Sequence, residues 1–244
     1  MTETRAVTED DELQELGRAT GAHGEVVLRR RRGSGATELI VDGVFAMDDV
    51  DTSTERALAT EALRRCPGTD LRVLVGGLGL GWTAATVLTE PRVAAVEVAE
   101  LQPALVAWAG DGLLPGLPLV PAQRLTLAVA DVADVLAGSP ATWDAVLLDV
   151  DNGPAFLVHQ TNAGLYSGTG LATALEAVRP GGVLAIWSSD PAPELAARLT
   201  ALPGATDVEH LLLPVERDGR RFDYAVVVAR RRPARGQGSV GGGL

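Results

Sequence analysis

The stretch LRVLVGGLGLGWTAATVLTEPRVAAVE, residues 71–97, decides how the chain is read. Its apolar opening, LRVLV (71–75), is the mark of a strand buried on both faces. Glycines at 76, 77, 79 and 81 then break the run. WTAATVLTE (82–90) follows as a helix and VAAVE (93–97) as a second strand, which makes one βαβ crossover. Glycines in such a loop permit positive φ and let a ligand approach the backbone. The helix N-terminus adds unpaired N–H groups and partial positive charge. Glu97 closes the second strand, near the spacing of about 20 residues at which an acid can take both hydroxyls of a ribose.

The same alternation continues outward. LQPALVAWAG (101–110) reads as a helix, and RLTLAVAD (124–131) as a third strand ending at Asp131. DAVLLDV (144–150) is a fourth strand. A helix within 163–178 stops at RPGG (179–182), and GVLAIWS (182–188) is a fifth strand. The helix PAPELAARLTAL (191–202) leads to VEHLLLPVE and FDYAVVVAR, an antiparallel hairpin across RDGR (217–220). Short apolar strands alternating with helices predict an α/β fold, a parallel sheet covered on both faces. Upstream, EVVLRRRR, GSG and ATELIVDGVFAM (25–47) read as strand, glycine turn and strand. TSTERALATEALRR (52–65) is a helix ended by CPG. The expected organisation is a flexible arm at 1–20, a small β unit plus helix at 21–66, a Rossmann-like domain at 67–231 and a disordered tail at 232–244.

Composition narrows the chemistry. All 21 basic residues are arginine, which excludes a Walker A lysine and a lysine Schiff base. Cys66 is the single cysteine, so no intrachain disulfide, CxxC or cysteine zinc cage exists. His23, His159 and His210 are scattered and none sits in HExxH, so no metal is expected. The start, MTETRAVTEDDELQELG, has no apolar region like a signal peptide's, and the uncharged run 73–89 is broken by glycines. A cytoplasmic protein without membrane partners is expected. The arginine runs 29–32 and 230–232 lack interleaved aromatics, and the net charge is −11, so no nucleic-acid partner is expected.

Two cofactors fit the loop. Gly79, Gly81 and Ala84 satisfy G-x-G-x-x-A, the dinucleotide pattern, so NAD(P) stays open. Gly77-x-Gly79-x-Gly81 is the looser pattern for S-adenosylmethionine. Asp131, at the end of the third strand, is placed to accept an adenine amino group and has no purpose in the first reading.

The order of these motifs resembles the class I S-adenosylmethionine-dependent methyltransferases, with seven strands and the last inserted antiparallel. Within them it looks most like the spermidine synthase family. The resemblance covers about residues 24–230: ELIVDG (38–43), VLVGGLGLG, VAAVEV, VADV, DVDNGP (149–154), Leu165-Tyr166 and RPGGVL. It implies that Gly76, Gly77, Gly79 and Gly81 line the donor, that Glu97 binds its ribose, and that Asp131 and Val132 contact adenine. It places Asp149 as the catalytic aspartate and Tyr166 near the acceptor amine, and it implies a homodimer. Asp151 and His159 (in FLVHQTNAGLY) are further candidates for acceptor binding.

The chain also departs from that family. The acid within the family's GGGDGG loop falls at Leu78 or Leu80. The family's glutamine and Tyr-x-Glu after the hairpin fall at Ala46, Glu55 and Ala57. A diamine carries two charges that need carboxylate or aromatic partners on leaving water. The loss of such partners makes methyl transfer from S-adenosylmethionine to a small-molecule acceptor the leading reading. Aminopropyl transfer from the decarboxylated donor is the alternative. An NAD(P)-dependent oxidoreductase and a non-catalytic cofactor-binding homologue are the others. Transfer from a sulfonium needs positioning and a proton acceptor rather than a protein nucleophile.

Overall fold

The computed structural model describes residues 12–117, 123–150, 160–217 and 219–234. Asp151 and His159 lie outside these residues, as do 1–11 of the expected arm and 235–244 of the expected tail.

The described residues begin with an antiparallel sheet of four strands, β1 (Leu13–Gly21), β2 (Gly24–Arg31), β3 (Thr37–Val41) and β4 (Val44–Asp48), in that spatial order. Two readings change here. Residues 13–20, expected in a flexible arm, belong to strand β1, paired along β2 from Leu13↔Arg31 to Gly21↔Gly24. The expected single strand over 36–47 folds back as β3 and β4. Asp42 and Gly43 take φ of 50° and 76°, the geometry of a tight hairpin turn. The arginine run is also partly explained. Arg29 and Arg31 of β2 both bond the carboxylate of Glu38 on β3, which is fully buried.

Helix α1 (Ser53–Arg65) buries Leu58, Ala59, Ala62 and Leu63 and ends at Cys66. The second unit then runs β5 (Leu71–Gly76), α2 (Trp82–Thr89), β6 (Val93–Glu100), α3 (Pro103–Gly110), β7 (Leu125–Val129), α4 (Val132–Gly138) and β8 (Trp143–Leu148). A short 3-10 turn (Gln160–Gly164), α5 (Gly168–Ala177), β9 (Val178–Ser188), α6 (Pro193–Ala201), β10 (Ala205–Arg217) and β11 (Arg220–Arg231) complete it. The seven strands lie in the order β10-β11-β9-β8-β5-β6-β7. β5 pairs parallel with both β6 and β8, and β11 is inserted antiparallel to β9 and β10. This is a Rossmann-like sheet with a C-terminal antiparallel hairpin.

Alternation along the central strands divides the core. Ala145, Leu147, Val183, Ala185 and Trp187 face the cluster shared with α1, α2 and the N-terminal sheet. Val146, Leu148, Leu184 and Ile186 face the cluster under α4, α5 and α6. The RPGG segment does not separate helix from strand, as expected, but is a bulge within β9. The register moves from Trp143↔Val178 to Ala145↔Val183. No helix among the described residues is long and apolar enough to cross a membrane.

Crossovers leave β5 toward β6 on one side and reach β8 on the other. The carboxyl edge of β5 is therefore the switch point at which open α/β sheets form a crevice.

Candidate functional site

A cavity of about 150 Å³ lies at that edge. Gly77 and Gly79 of the loop after β5 line it. Gly77 has φ of +88°, donates its N–H to the Ala99 carbonyl, and would drive a Cβ into the Asp149 carbonyl. Only glycine satisfies that turn. A Cβ on Gly79 would meet the Met47 sulfur at 2.7 Å. Gly76 and Gly81, expected to line the ligand, do not border the cavity. Gly76 is packed against Val132 and Leu148, and Gly81 caps α2 against Leu117. Leu78 and Leu80 are buried in the core. Laid residue on residue over 76–81, the acid of GGGDGG therefore falls on Gly79, not on either leucine, and Met47 fills its place.

The acid at the tip of the second strand is Glu100. β6 runs three residues further than VAAVE suggested. Glu97 pairs level with Leu74, roughly 10 Å short of the strand's end at about 3.3 Å per residue, and it does not line the cavity. Glu100 is buried and does line it. Its Oε2 accepts the Leu78 N–H at 2.8 Å and its Oε1 accepts the Gln102 N–H at 2.7 Å. A carboxylate oxygen can accept more than one hydrogen bond, so these two contacts do not by themselves close Glu100 to a ligand hydroxyl. Across the cavity Asp131 caps α4, taking the Ala133 N–H on Oδ1, and Val132 lies beside it.

Asp149 follows β8. Its N–H donates to the Gly76 carbonyl, which fixes it beside the glycine loop. Burial raises its carboxyl to about 6, opposed by the Thr83 hydroxyl, which donates to Oδ2 at 2.5 Å. Glu55, in the first turn of α1, also lines the cavity. Burial first, then the charge of Asp149, raises Glu55 to about 7, while the Thr54 hydroxyl opposes the shift. Two carboxyl groups poised near neutrality thus share one wall, a pattern that marks functional clefts.

Tyr166, expected at the acceptor, is 2% exposed and absent from the cavity wall. Its hydroxyl donates to the Val150 carbonyl, so it props the chain after β8. Trp82 packs beneath Arg56 rather than over the cavity. The sequence reading missed Glu100, Gln102, Met47 and Trp187. The signal for Glu100 was LQPA directly after it, since Pro103 opens a helix and so bounds the strand. Leu39, Val41, Ala46 and Met47 bring the N-terminal sheet into the wall. Among the described lining residues stand four carboxylates, Glu55, Glu100, Asp131 and Asp149, and no arginine or histidine.

The sequence matches no protein-family model and no curated protein. Solved structures do match the fold. One is a spermidine synthase in complex with the transition-state analogue AdoDATO, with a TM-score of 0.72 and 15% identity. Another is spermidine synthase from Thermotoga maritima, with a TM-score of 0.73 and 15% identity. Each match covers 89% of this chain and 72% of the other. A probable spermidine synthase from Corynebacterium glutamicum ATCC 13032 matches with a TM-score of 0.62 and 18% identity, over 88% of this chain and 79% of that one. The chain shares the fold of these spermidine synthases.

Proposed function

We propose that this protein is an aminopropyltransferase that joins the propylamine arm of decarboxylated S-adenosylmethionine to an amine. The observation that carries the reading is the charge of the cavity. A donor with an intact carboxylate would enter a space bordered by four carboxylates and no cationic side chain among the described residues. A donor whose arm ends in an ammonium is attracted instead. The loss of the family's loop acid pointed to the ordinary donor. Glu55 adds negative charge from elsewhere in the fold, beside Asp149. The AdoDATO-bound spermidine synthase among the similar folds supports the same choice. The charge count also disfavours a dinucleotide, whose pyrophosphate would meet the same acids.

In this reading Glu100 takes the ribose hydroxyls in place of Glu97. Asp131 and Val132 hold the adenine edge. Gly77 and Gly79 let the sulfur-bearing chain lie against the backbone, beside Met47. The donor sulfonium makes its own carbon electrophilic. Glu55 and Asp149 gather the amine and orient its lone pair toward that carbon. The new C–N bond forms as the C–S bond breaks, its electrons going to sulfur to give a neutral thioether. Asp149, whose carboxyl is raised by burial to about 6, takes the proton from nitrogen, with Glu55 beside it on the same wall.

The test compares S-adenosylmethionine and its decarboxylated form as donors with a panel of amines, separating products by mass spectrometry. Methylthioadenosine together with an aminopropylated amine, formed only from the decarboxylated donor, is the expected result. S-adenosylhomocysteine and a methylated acceptor would establish methyl transfer instead. Tight donor binding without any product would establish a non-catalytic homologue.

A further inference from the structure

Met47 reaches the cavity through an irregularity in its strand. The turn at Asp42 and Gly43 pairs Val41 with Val44 and Ile40 with Phe45. Continued without a break, that register would set Ala46 opposite Leu39 and Met47 opposite Glu38, on the other face of the sheet. Instead the register shifts. Ala46 becomes an extra residue in β4, and Met47 stands opposite Leu39, which lines the cavity. Ala46 and Met47 are neighbours in sequence, yet both line the same cavity. Simple alternation along a strand forbids that, and a β-bulge permits it. Bulges beside active sites re-aim side chains in this way.

The re-aimed side chain ends against the glycine loop. Met47 Sδ covers the face of Gly79 from which a Cβ would project, 2.7 Å from that position. A thioether is polarisable and packs well on methylenes, but it donates no hydrogen bond. Glu55 and Asp149 line the same cavity, and no arginine or histidine does so among the described residues. A carboxylate brought against this surface loses water and gains neither an ion pair nor a hydrogen bond from Met47. An unbranched chain of methylenes loses nothing there.

We propose that Met47 is the residue that selects the donor's arm: its thioether, aimed by the bulge at Ala46, packs on the methylenes of a propylamine arm lying over Gly79 and turns away an arm that carries a carboxylate. The inference rests on the aminopropyl-transfer reading and deepens it by assigning donor choice to one side chain. The acids of the cavity act on charge at longer range. Met47 acts by contact, at the carbon where the two donors differ, so replacing it changes the choice of donor without changing the number of carboxylates.

Calorimetry on the whole chain with each donor tests this without requiring turnover, and methylthioadenosine, which lacks the arm, is the reference ligand. The wild type should bind decarboxylated S-adenosylmethionine about ten-fold more tightly than S-adenosylmethionine, the worth of one interaction with a charged group. Met47→Gln keeps the length of the side chain and adds an N–H donor. It should raise S-adenosylmethionine affinity about ten-fold relative to the decarboxylated donor. Met47→Thr, shorter and carrying a hydroxyl, is the second variant and should move the ratio in the same direction. Met47→Leu, apolar and of similar volume, should keep the wild-type ratio. Methylthioadenosine should bind all four proteins alike. A ratio unmoved by both Met47→Gln and Met47→Thr, or moved as far by Met47→Leu, overturns the inference and leaves the proposed reaction standing. Loss of methylthioadenosine in step with both donors makes Met47 a general support of the cavity and overturns it too. A wild type without any preference, whose ratio still moves with Met47→Gln, sinks the proposed donor alone and leaves Met47 beside the arm.

Discussion

The hydroxyl of Thr83 on α2 lies 2.5 Å from Oδ2 of Asp149, beyond the end of β8, and 3.4 Å from the carbonyl oxygen of Glu55. One buried threonine therefore touches both residues whose carboxyl groups are poised near neutrality. Its bond to Asp149 favours the charged carboxylate, against the burial that disfavours it.

Thr83→Val keeps the shape and removes that donor. The Asp149 carboxyl should then titrate above its present value of about 6. The acidic limb of the pH–rate profile should move to higher pH, and carboxyl-selective NMR should show the same displacement. Thr83→Ser should restore both. An unmoved titration in the valine variant would show that the hydroxyl does not stabilise the anion.

Stability should depend on pH in a direction set by the same pair. Folding raises Glu55 from 4.5 to about 7 and Asp149 from 3.8 to about 6. The fold therefore favours their protonated forms. That contribution is fully present below the ordinary carboxylate range and is lost as pH rises through about 6 to 7. A shift of two units corresponds to roughly 3 kcal/mol, which bounds the effect from above. Asp149→Asn should be more stable than wild type by about 1–3 kcal/mol at pH 8 and no more stable at pH 4. Urea denaturation at the two pH values reads this out. A gain at pH 4 as large as at pH 8 contradicts it.

The two acids of β6 give a clean contrast. Glu100→Gln should weaken methylthioadenosine binding by about ten- to a hundred-fold, the loss expected for charge-assisted hydrogen bonds to a ligand, which are worth roughly 1.5–3 kcal/mol. Glu97→Ala, below the cavity on the same strand, should leave that affinity within about two-fold, since a side chain that does not border a site has no direct share in its binding energy. Calorimetry measures both. Loss of binding in the Glu97 variant would return the ribose to that residue.

The β6 acids also show what a sequence can and cannot convey. Alternating apolar strands and helices left the order of the sheet legible, and the ends of β5, β7 and β8 put Gly77, Asp131 and Asp149 at one edge. VAAVEVAE offers two acids three residues apart, and alternation alone does not say where the strand stops. β1 was hidden because LQELGRATG has too few apolar residues to announce a strand. It is held by pairing with β2, while Gly17 lies where a Cβ would crowd Trp108. Glu55 fell on a position of the family's Tyr-x-Glu pattern, and only the fold of α1 onto the sheet brings it to Asp149. Trp187 sits in the apolar run VLAIW of β9, so nothing local distinguished a cavity wall from ordinary core.

Gly77 carries the last contrast. Its φ of +88° is unfavourable for any residue with a Cβ, and the added atom would strike the Asp149 carbonyl. Strain of about 1–2 kcal/mol for the backbone alone, plus displacement of the chain after β8, puts the cost of Gly77→Ala at about 2 kcal/mol or more, at least about four times the roughly 0.5 kcal/mol of an ordinary surface change. The melting temperature should fall by roughly 4–8 °C at about 2–4 °C per kcal/mol. Donor affinity should fall further than stability, because Asp149 must move to make room. Gly168→Ala, at the start of α5 with open space around its Cβ position, should leave binding unchanged and be neutral or slightly stabilising. Differential scanning calorimetry with and without methylthioadenosine distinguishes the two. If both variants melt and bind alike, the tight turn at Gly77 is not what shapes the cavity floor.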